Sequence, residues 1–199
     1  MPTAFDQTLQ AIDALHAEDP RFTHKANGAS VPQELAYARR MTHWLFELER
    51  APEALLQLAV RAQHLQRWKV PRSDYPDGRV GYLTWRRDQG LRAGETTAEL
   101  MQRAGYGPEE CQRVAAMIAK KGLGRDDNVQ TLEDCACLVF LENHFADFSE
   151  KIEHDHLLRI VQKTWRKMSP TAHRVALSLP MSPASAAIVE KALAIDSDH

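Results

Sequence analysis

Residues 32–49 read PQELAYARRMTHWLFELE, and their spacing decides the fold class. Leu35, Ala38, Leu45 and Leu48 recur at three- and four-residue intervals, the period that gathers side chains on one face of an α-helix. Pro32 stands at the first turn, where its missing N–H costs nothing. The same rhythm runs through most of the chain, glycine is sparse at 9 of 199 residues, and β-branched runs are absent. The sequence therefore predicts an all-α protein, a single compact multi-helix domain over residues 1–199.

Working outward, a helix from Thr3 to Glu18 is expected to bury Phe5, Leu9, Ile12 and Leu15, with a loop at HKANGAS (24–30). Another helix is expected from Pro52 through Trp68, stopped by the prolines and glycines of VPRSDYPDGRVG (70–81). A brief helix at YLTWRRDQG (82–90) and a separate one at TTAELMQRAG (96–105) come next, the latter closed by Gly105. PEECQRVAAMIAKKG (108–122) has Pro108 at its start and Gly122 past its end. Thr131-x-x-Asp134 reads as a cap into CACLVFLENHF (135–145), apolar on nearly every face and so expected to be central. The last helices are DHLLRIVQKTWRKMS (155–169), PTAHRVALSL (170–179) and SPASAAIVEKALAI (182–195), with Ser182 as N-cap.

A net charge of −2 does not indicate a general nucleic-acid or membrane-surface protein. The charge is unevenly placed, however. Residues 61–87 carry seven Arg or Lys against two Asp, and residues 126–156 carry nine acidic residues against one Lys. Cys111, Cys135 and Cys137 fit neither a disulfide framework nor zinc-finger spacing and read as reduced, buried thiols. The opening MPTAFDQTLQAID lacks a basic segment followed by an apolar one, and no run approaches a membrane span. The expected location is cytoplasmic.

The basic stretch carries most of the candidate chemistry. His64 lies between Arg61 and Arg67, and cations at that range keep an imidazole neutral, the form that acts as a base or ligates a metal. Arg72, Tyr75, Tyr82, Trp85 and Arg86 interleave guanidinium groups with aromatic rings. Arginine grips phosphate or carboxylate in two-point geometry, and rings offer a stacking surface for a base or sugar. Prolines 71 and 76 stiffen the intervening loop. Lys120 and Lys163 are auxiliary candidates for an anion. Glu133 and Asp134, in the expected first turn of the central helix, are stabilised there by the helix dipole and are candidates to reach a metal or to assist catalysis. His144, His154 and His156 form no H-E-x-x-H or comparable pattern and read as surface residues. No Walker loop, G-x-S-x-G elbow, G-x-G-x-x-G fingerprint or EF-hand loop is present.

RAQHLQRWKVPRSDYPDGRVGYLTWR (61–86), QTLEDCACLVFLENHFADF (130–148) and VQKTWRKMSP (161–170) together resemble the domain-of-unknown-function family numbered 4202, over most of the chain. That resemblance implies a shared fold and brings no biochemistry. More distantly, the chain is similar to the HD superfamily of all-α metal-dependent phosphohydrolases. The similarity implies His43, His64 and Asp134 as ligands of a divalent transition metal (Mn, Fe or Zn), with Arg67, Arg72 and Arg86 holding the phosphate of a small molecule or nucleotide. The Asp expected after His64 is Leu65, so one ligand of that pattern is missing. Glu133 is the candidate to substitute for that ligand, and a metal-free reading uses His64 as general base and Arg67 as electrostatic stabiliser. The alternative is a non-catalytic module that binds a nucleotide, or an RNA end, through Arg72, Tyr75, Tyr82 and Trp85.

Overall fold

The computed structural model describes residues 1–24, 28–144, 154–180 and 183–196. The chain is all-α: 73% is helical, and one two-stranded sheet accompanies the helices among the described residues. These residues fall into two compact units, Met1–Leu132 and Glu133–His199.

The first unit opens with helix α1 (Ala4–Ala17), capped by Thr3, whose hydroxyl accepts the Asp6 N–H while the Asp6 carboxylate accepts the Thr3 N–H. Its buried residues are Thr8, Ile12 and His16. The inward face is thus turned slightly from the expected one, with Phe5, Leu9 and Leu15 at its margins. Strands β1 (Phe22–His24) and β2 (Ser30–Pro32) pair antiparallel, so His24 and Ser30, the ends of the expected loop, face each other as strand residues; residues 25–27 lie outside the described residues.

Helix α2 (Gln33–Leu48) follows the rhythm that predicted it, with Leu35, Ala38, Met41, Trp44 and Leu45 buried. Glu34 is buried on it as well. Helix α3 (Ala54–Ala62) is shorter than expected. It ends at Ala62, and Gln66, with φ 55°, enters the left-handed region and reverses the chain into two short 3-10 turns, Arg67–Lys69 and Arg72–Asp74. Leu65 is buried in the core, 3% exposed.

Helix α4 (Gly78–Ala104) is continuous where two helices were expected. The expectation ended one helix at Gly90 and began the next at Thr96, but Gly90 and Gly94 are packing positions. A Cβ at Gly94 would lie 3.0 Å from the Ala115 carbonyl oxygen, and one at Gly90 would lie 3.4 Å from the Ala119 Cα. Helix α5 (Pro108–Ile118) therefore packs closely on α4, and its chain ends through Ala119 and Lys120, the latter at φ 55°. Helix α6 (Asp127–Val139) starts four residues before the expected Thr131 entry. Asp126 provides its cap, accepting the N–H groups of Asn128 and Val129 while binding both Arg113 nitrogens.

In the second unit, α6 passes through a π-turn at Phe140–His144. Helices α7 (His154–Trp165), α8 (Pro170–Leu177) and α9 (Pro183–Asp196) follow. Leu157, Leu158 and Val161 of α7 form a core with Val189 and Ala192 of α9, and Phe140 packs against it. The Ser182 cap and the side chains of His144 and His154 lie outside the described residues. Cys111, Cys135 and Cys137 are all free thiols and buried. No helix among the described residues is long and apolar enough to cross a membrane.

Candidate functional site around His64

The site in the first unit is built outward from α2. Glu34, Ala38, Met41 and Leu45 recur at helical spacing and are all buried, so an acid occupies a core position. Its carboxylate is anchored on one side by Arg21, at 3.0 Å. Arg21 is itself clamped by Asp19, whose two oxygens accept from Nε at 2.9 Å and from a terminal nitrogen at 3.0 Å. Asp19 also accepts the Glu34 backbone N–H, which closes a ring of bonds across the start of α2. Burial raises the Glu34 pKa, and the positive charges of Arg21 and Arg67 pull it back.

The other Glu34 oxygen lies 3.6 Å from His64 Nδ1. One turn along α2, Tyr37 stacks flat on the imidazole, with ring centres 4.0 Å apart and planes 8° from parallel. On the far edge, His64 Nε2 lies 2.7 Å from a terminal nitrogen of Arg67. A guanidinium only donates, so Nε2 is the acceptor and the proton sits on Nδ1, facing Glu34. Burial, then the charges of Arg67, Lys120, His16 and Arg86, hold the His64 pKa well below its ordinary value. The imidazole is neutral, as the sequence suggested. The mechanism of approach differs, however: His64 and Arg67 meet through the left-handed turn at Gln66 and not along a helix face.

Arg67 also lies over the Trp85 ring, 4.3 Å from its centre. Among the described residues no carboxylate reaches Arg67 within ion-pair distance, and the acceptor it is given is the neutral His64. Arg86 lies over the exposed Tyr82 ring at 5.7 Å. Two further polar residues, partly buried Arg61 and buried His16, tie the neighbouring helices together. Arg61 binds both Asp13 oxygens and the Thr42 hydroxyl, tying α3 to α1 and α2. Fully buried His16 donates from Nε2 to the Arg61 carbonyl, and its Nδ1 has no partner.

The predicted residues divide into those brought together and those placed elsewhere. His64 meets Arg67 and Arg67 meets Trp85, while Arg86 and Lys120 bear on His64 through their charge. Arg72 is half-buried, and its guanidinium donates to the carbonyls of Tyr75, Pro76 and Gly78, fastening the loop. Tyr75 bonds Asp88 at 3.1 Å, and the Trp85 indole N–H bonds the Val70 carbonyl at 3.0 Å. Tyr82 is 43% exposed.

His43 does not meet His64. Nine residues separate it from Glu34, which at about 100° per residue places the two on opposite sides of α2. His43 is exposed there beside Trp44. His64 offers a metal an Nε2 already engaged by a guanidinium and ringed by positive charge, so the residues at His64 do not suit a bound cation. Among the described residues no three His, Cys, Asp or Glu side chains group as metal ligands.

Glu133 and Asp134 belong to the second unit. They stand beyond the first turn of α6 and are each 3% exposed, because the helix starts at Asp127. Asp134 accepts the Ser169 N–H at 2.9 Å, bracing the N-cap residue of α8, and Glu133 lies 3.5 Å from Lys167 Nζ. Lys163 is exposed on α7.

Sequence reasoning missed Glu34, Tyr37, Asp19, Arg21 and His16. The signal for Glu34 and His16 was present: each is a polar residue standing in the buried register of its helix.

This is a helical protein whose polar centre is one neutral histidine held between an acid and a guanidinium. The chain belongs to the family described as a domain of unknown function (DUF4202), whose model matches residues 6–189. No curated protein and no solved structure matches it.

Proposed function

We propose that the first unit binds a phosphorylated small molecule or nucleotide at the cations around His64, and that His64 is the base of a phosphoester hydrolysis. The observation that supports this is the Glu34–His64–Arg67 arrangement. Arg67 fixes the imidazole tautomer, and Glu34, 3.6 Å from Nδ1, places a negative charge behind the ring, in the manner of an acid behind a catalytic histidine. Arg67 presents donors that no carboxylate among the described residues consumes. Arg86 and Lys120 add positive charge beside them. An anion that takes up the Arg67 donors releases His64 Nε2, which is then free to accept a proton from an attacking water. Tyr82 supplies an exposed ring beside Arg86 for a planar group. No step runs through a metal, since His43 stands apart from His64 and Nε2 faces a cation.

The test is a screen of phosphomonoesters for release of inorganic phosphate, run with parent protein and His64→Gln. Hydrolysis by the parent, lost in His64→Gln with binding retained, supports the reading. Binding without turnover in the parent favours a binding module instead. That second reading has its own observation, the Arg67 nitrogen already seated on Nε2.

A further inference from the structure

Helix α4 buries Gly81, Trp85, Gln89 and Ala93 at four-residue spacing, so one of its core positions holds a side-chain amide. Gln89 is 7% exposed. A buried amide needs partners for its donors, since leaving them unmet is costly. Its Nε2 donates to the Arg67 carbonyl at 3.3 Å and to the Val70 carbonyl at 2.5 Å. Both partners only accept, so the nitrogen end of the amide faces them. One turn earlier on the same face, the Trp85 indole N–H donates to the same Val70 carbonyl at 3.0 Å.

These two carbonyls bracket the 3-10 turn Arg67–Lys69, with Val70 as its C-cap. The bond that closes the turn, from the Val70 N–H to the Arg67 carbonyl, is long at 3.4 Å. Side chains of α4 therefore hold the turn from outside, at its first residue and at its cap. The Arg67 side chain leaves that same turn to reach His64 Nε2 at 2.7 Å and to lie over the Trp85 ring at 4.3 Å. A backbone displacement of about 1 Å at residue 67 would carry the first contact out of hydrogen-bond range.

We propose that Gln89 is a positioning residue of the anion site: from α4 it fixes the turn from which Arg67 reaches His64 and a bound phosphate group. This rests on the anion-site reading above and deepens it. Gln89 acts through Arg67. With both carbonyls of the turn fastened, the guanidinium exchanges His64 Nε2 for a phosphate oxygen by rotation of its side chain, while the main chain stays in place.

The experiment compares the full-length parent with Gln89→Met, Gln89→Asn and Thr97→Ala near neutral pH. Methionine keeps the size of the side chain and loses both donors. Asparagine keeps the amide on a shorter stem, so the comparison survives if Gln89→Met fails to fold. Thr97, fully buried about two turns further along α4, controls for a general loosening of the helix. One readout is the nitrogen chemical shift of His64 Nε2 without ligand, by long-range proton–nitrogen NMR. The other is calorimetric affinity for phenyl phosphate. Gln89→Met is expected to move the Nε2 signal toward that of an unbonded acceptor and to lose about tenfold in affinity. Gln89→Asn should change both in the same sense, and Thr97→Ala should change neither even as its melting temperature falls. The proposal is overturned if either readout stays at the parent value in both Gln89 variants, or if Thr97→Ala shifts them as far. A parent with no affinity for phenyl phosphate overturns the anion-site reading itself, and the Nε2 signal then decides whether Gln89 seats Arg67 on His64.

Discussion

The Nε2 of His64 accepts a hydrogen bond from Arg67 at 2.7 Å while its Nδ1 faces the Glu34 carboxylate at 3.6 Å. Imidazolium has no lone pair at Nε2, so protonation breaks the first contact and sets two cations against each other. The folded state therefore disfavours the charged histidine.

A pH dependence of stability follows. Burial and the neighbouring cations put the folded pKa of His64 below its ordinary value of 6.5, so the unfolded chain binds more protons in the interval between the two. The contribution to stability is fully present above 6.5 and is lost as pH falls through that interval toward the folded pKa. His16, also lowered chiefly by burial, acts in the same direction, and Glu34, raised by burial, acts in the opposite sense at lower pH. Urea melts between pH 5 and 8 should show stability rising with pH. His64→Gln, which keeps an acceptor for Arg67, should flatten that slope, and an unchanged slope would count against the neutral histidine.

Asp19 is expected to be among the more costly single losses at the start of α2. Its side chain is fully buried and accepts from Arg21 and from the Glu34 backbone. Asp19→Ala strips both and should destabilise by about 3 kcal/mol, toward the low end for a broken buried pair because Arg21 is 46% exposed. Chemical denaturation measures it; a cost near that of an ordinary surface substitution, about 0.5 kcal/mol or less, would refute the ring of bonds described above.

Gly81 fixes the loop before α4. A Cβ there would sit inside contact distance of the Pro76 carbonyl oxygen and 2.8 Å from its carbon, both rigid backbone atoms. Gly81→Ala should therefore cost about 1–3 kcal/mol through overpacking and disturb the Tyr75–Asp88 bond. Gly90→Ala, meeting its nearest neighbours at 3.4 Å, should cost less. The two melting temperatures compare them directly, and the reverse order would place the tight seam in the wrong position.

Asp134 and His43 test the ligand set that the distant resemblance implied. Asp134→Ala leaves the Ser169 N–H without its carboxylate and should destabilise by about 1–3 kcal/mol. His43→Ala, on an exposed side chain, should change stability by less than about 0.5 kcal/mol and leave phosphate affinity intact. Elemental analysis after soaking in manganese, iron or zinc should give the same metal content for both variants as for the parent. Metal bound by the parent and lost in both would restore the metallohydrolase reading.

The fold class was legible because α2, α5 and the last helices advertise their buried faces at helical spacing. Boundaries were less so. Helix α4 was divided between Gly90 and Thr96, whereas a close neighbour on α5 outweighs the low propensity of Gly90 and Gly94. Helix α3 was overextended because RAQHLQRW has helical periodicity, and nothing in its side chains announces that Gln66 turns left-handed. At the site, His64, Arg67, Trp85, Arg86 and Lys120 stood out by type. Glu34 did not, since an acid after a proline reads as dipole compensation. Its role depends on Arg21, 13 residues away in sequence, and spacing along one helix carries no information about that partner.

The seam at Gly90 and Gly94 has a mechanical consequence. With the backbones of α4 and α5 in near contact, neither helix has room to slide along the other. Arg86 lies one turn before Gly90, and Lys120 lies one residue past the Ala119 that meets it. The separation of these two backbone positions is thus set like the jaws of a locked caliper. A methyl group added at Gly94 would reset that gauge without touching either charge.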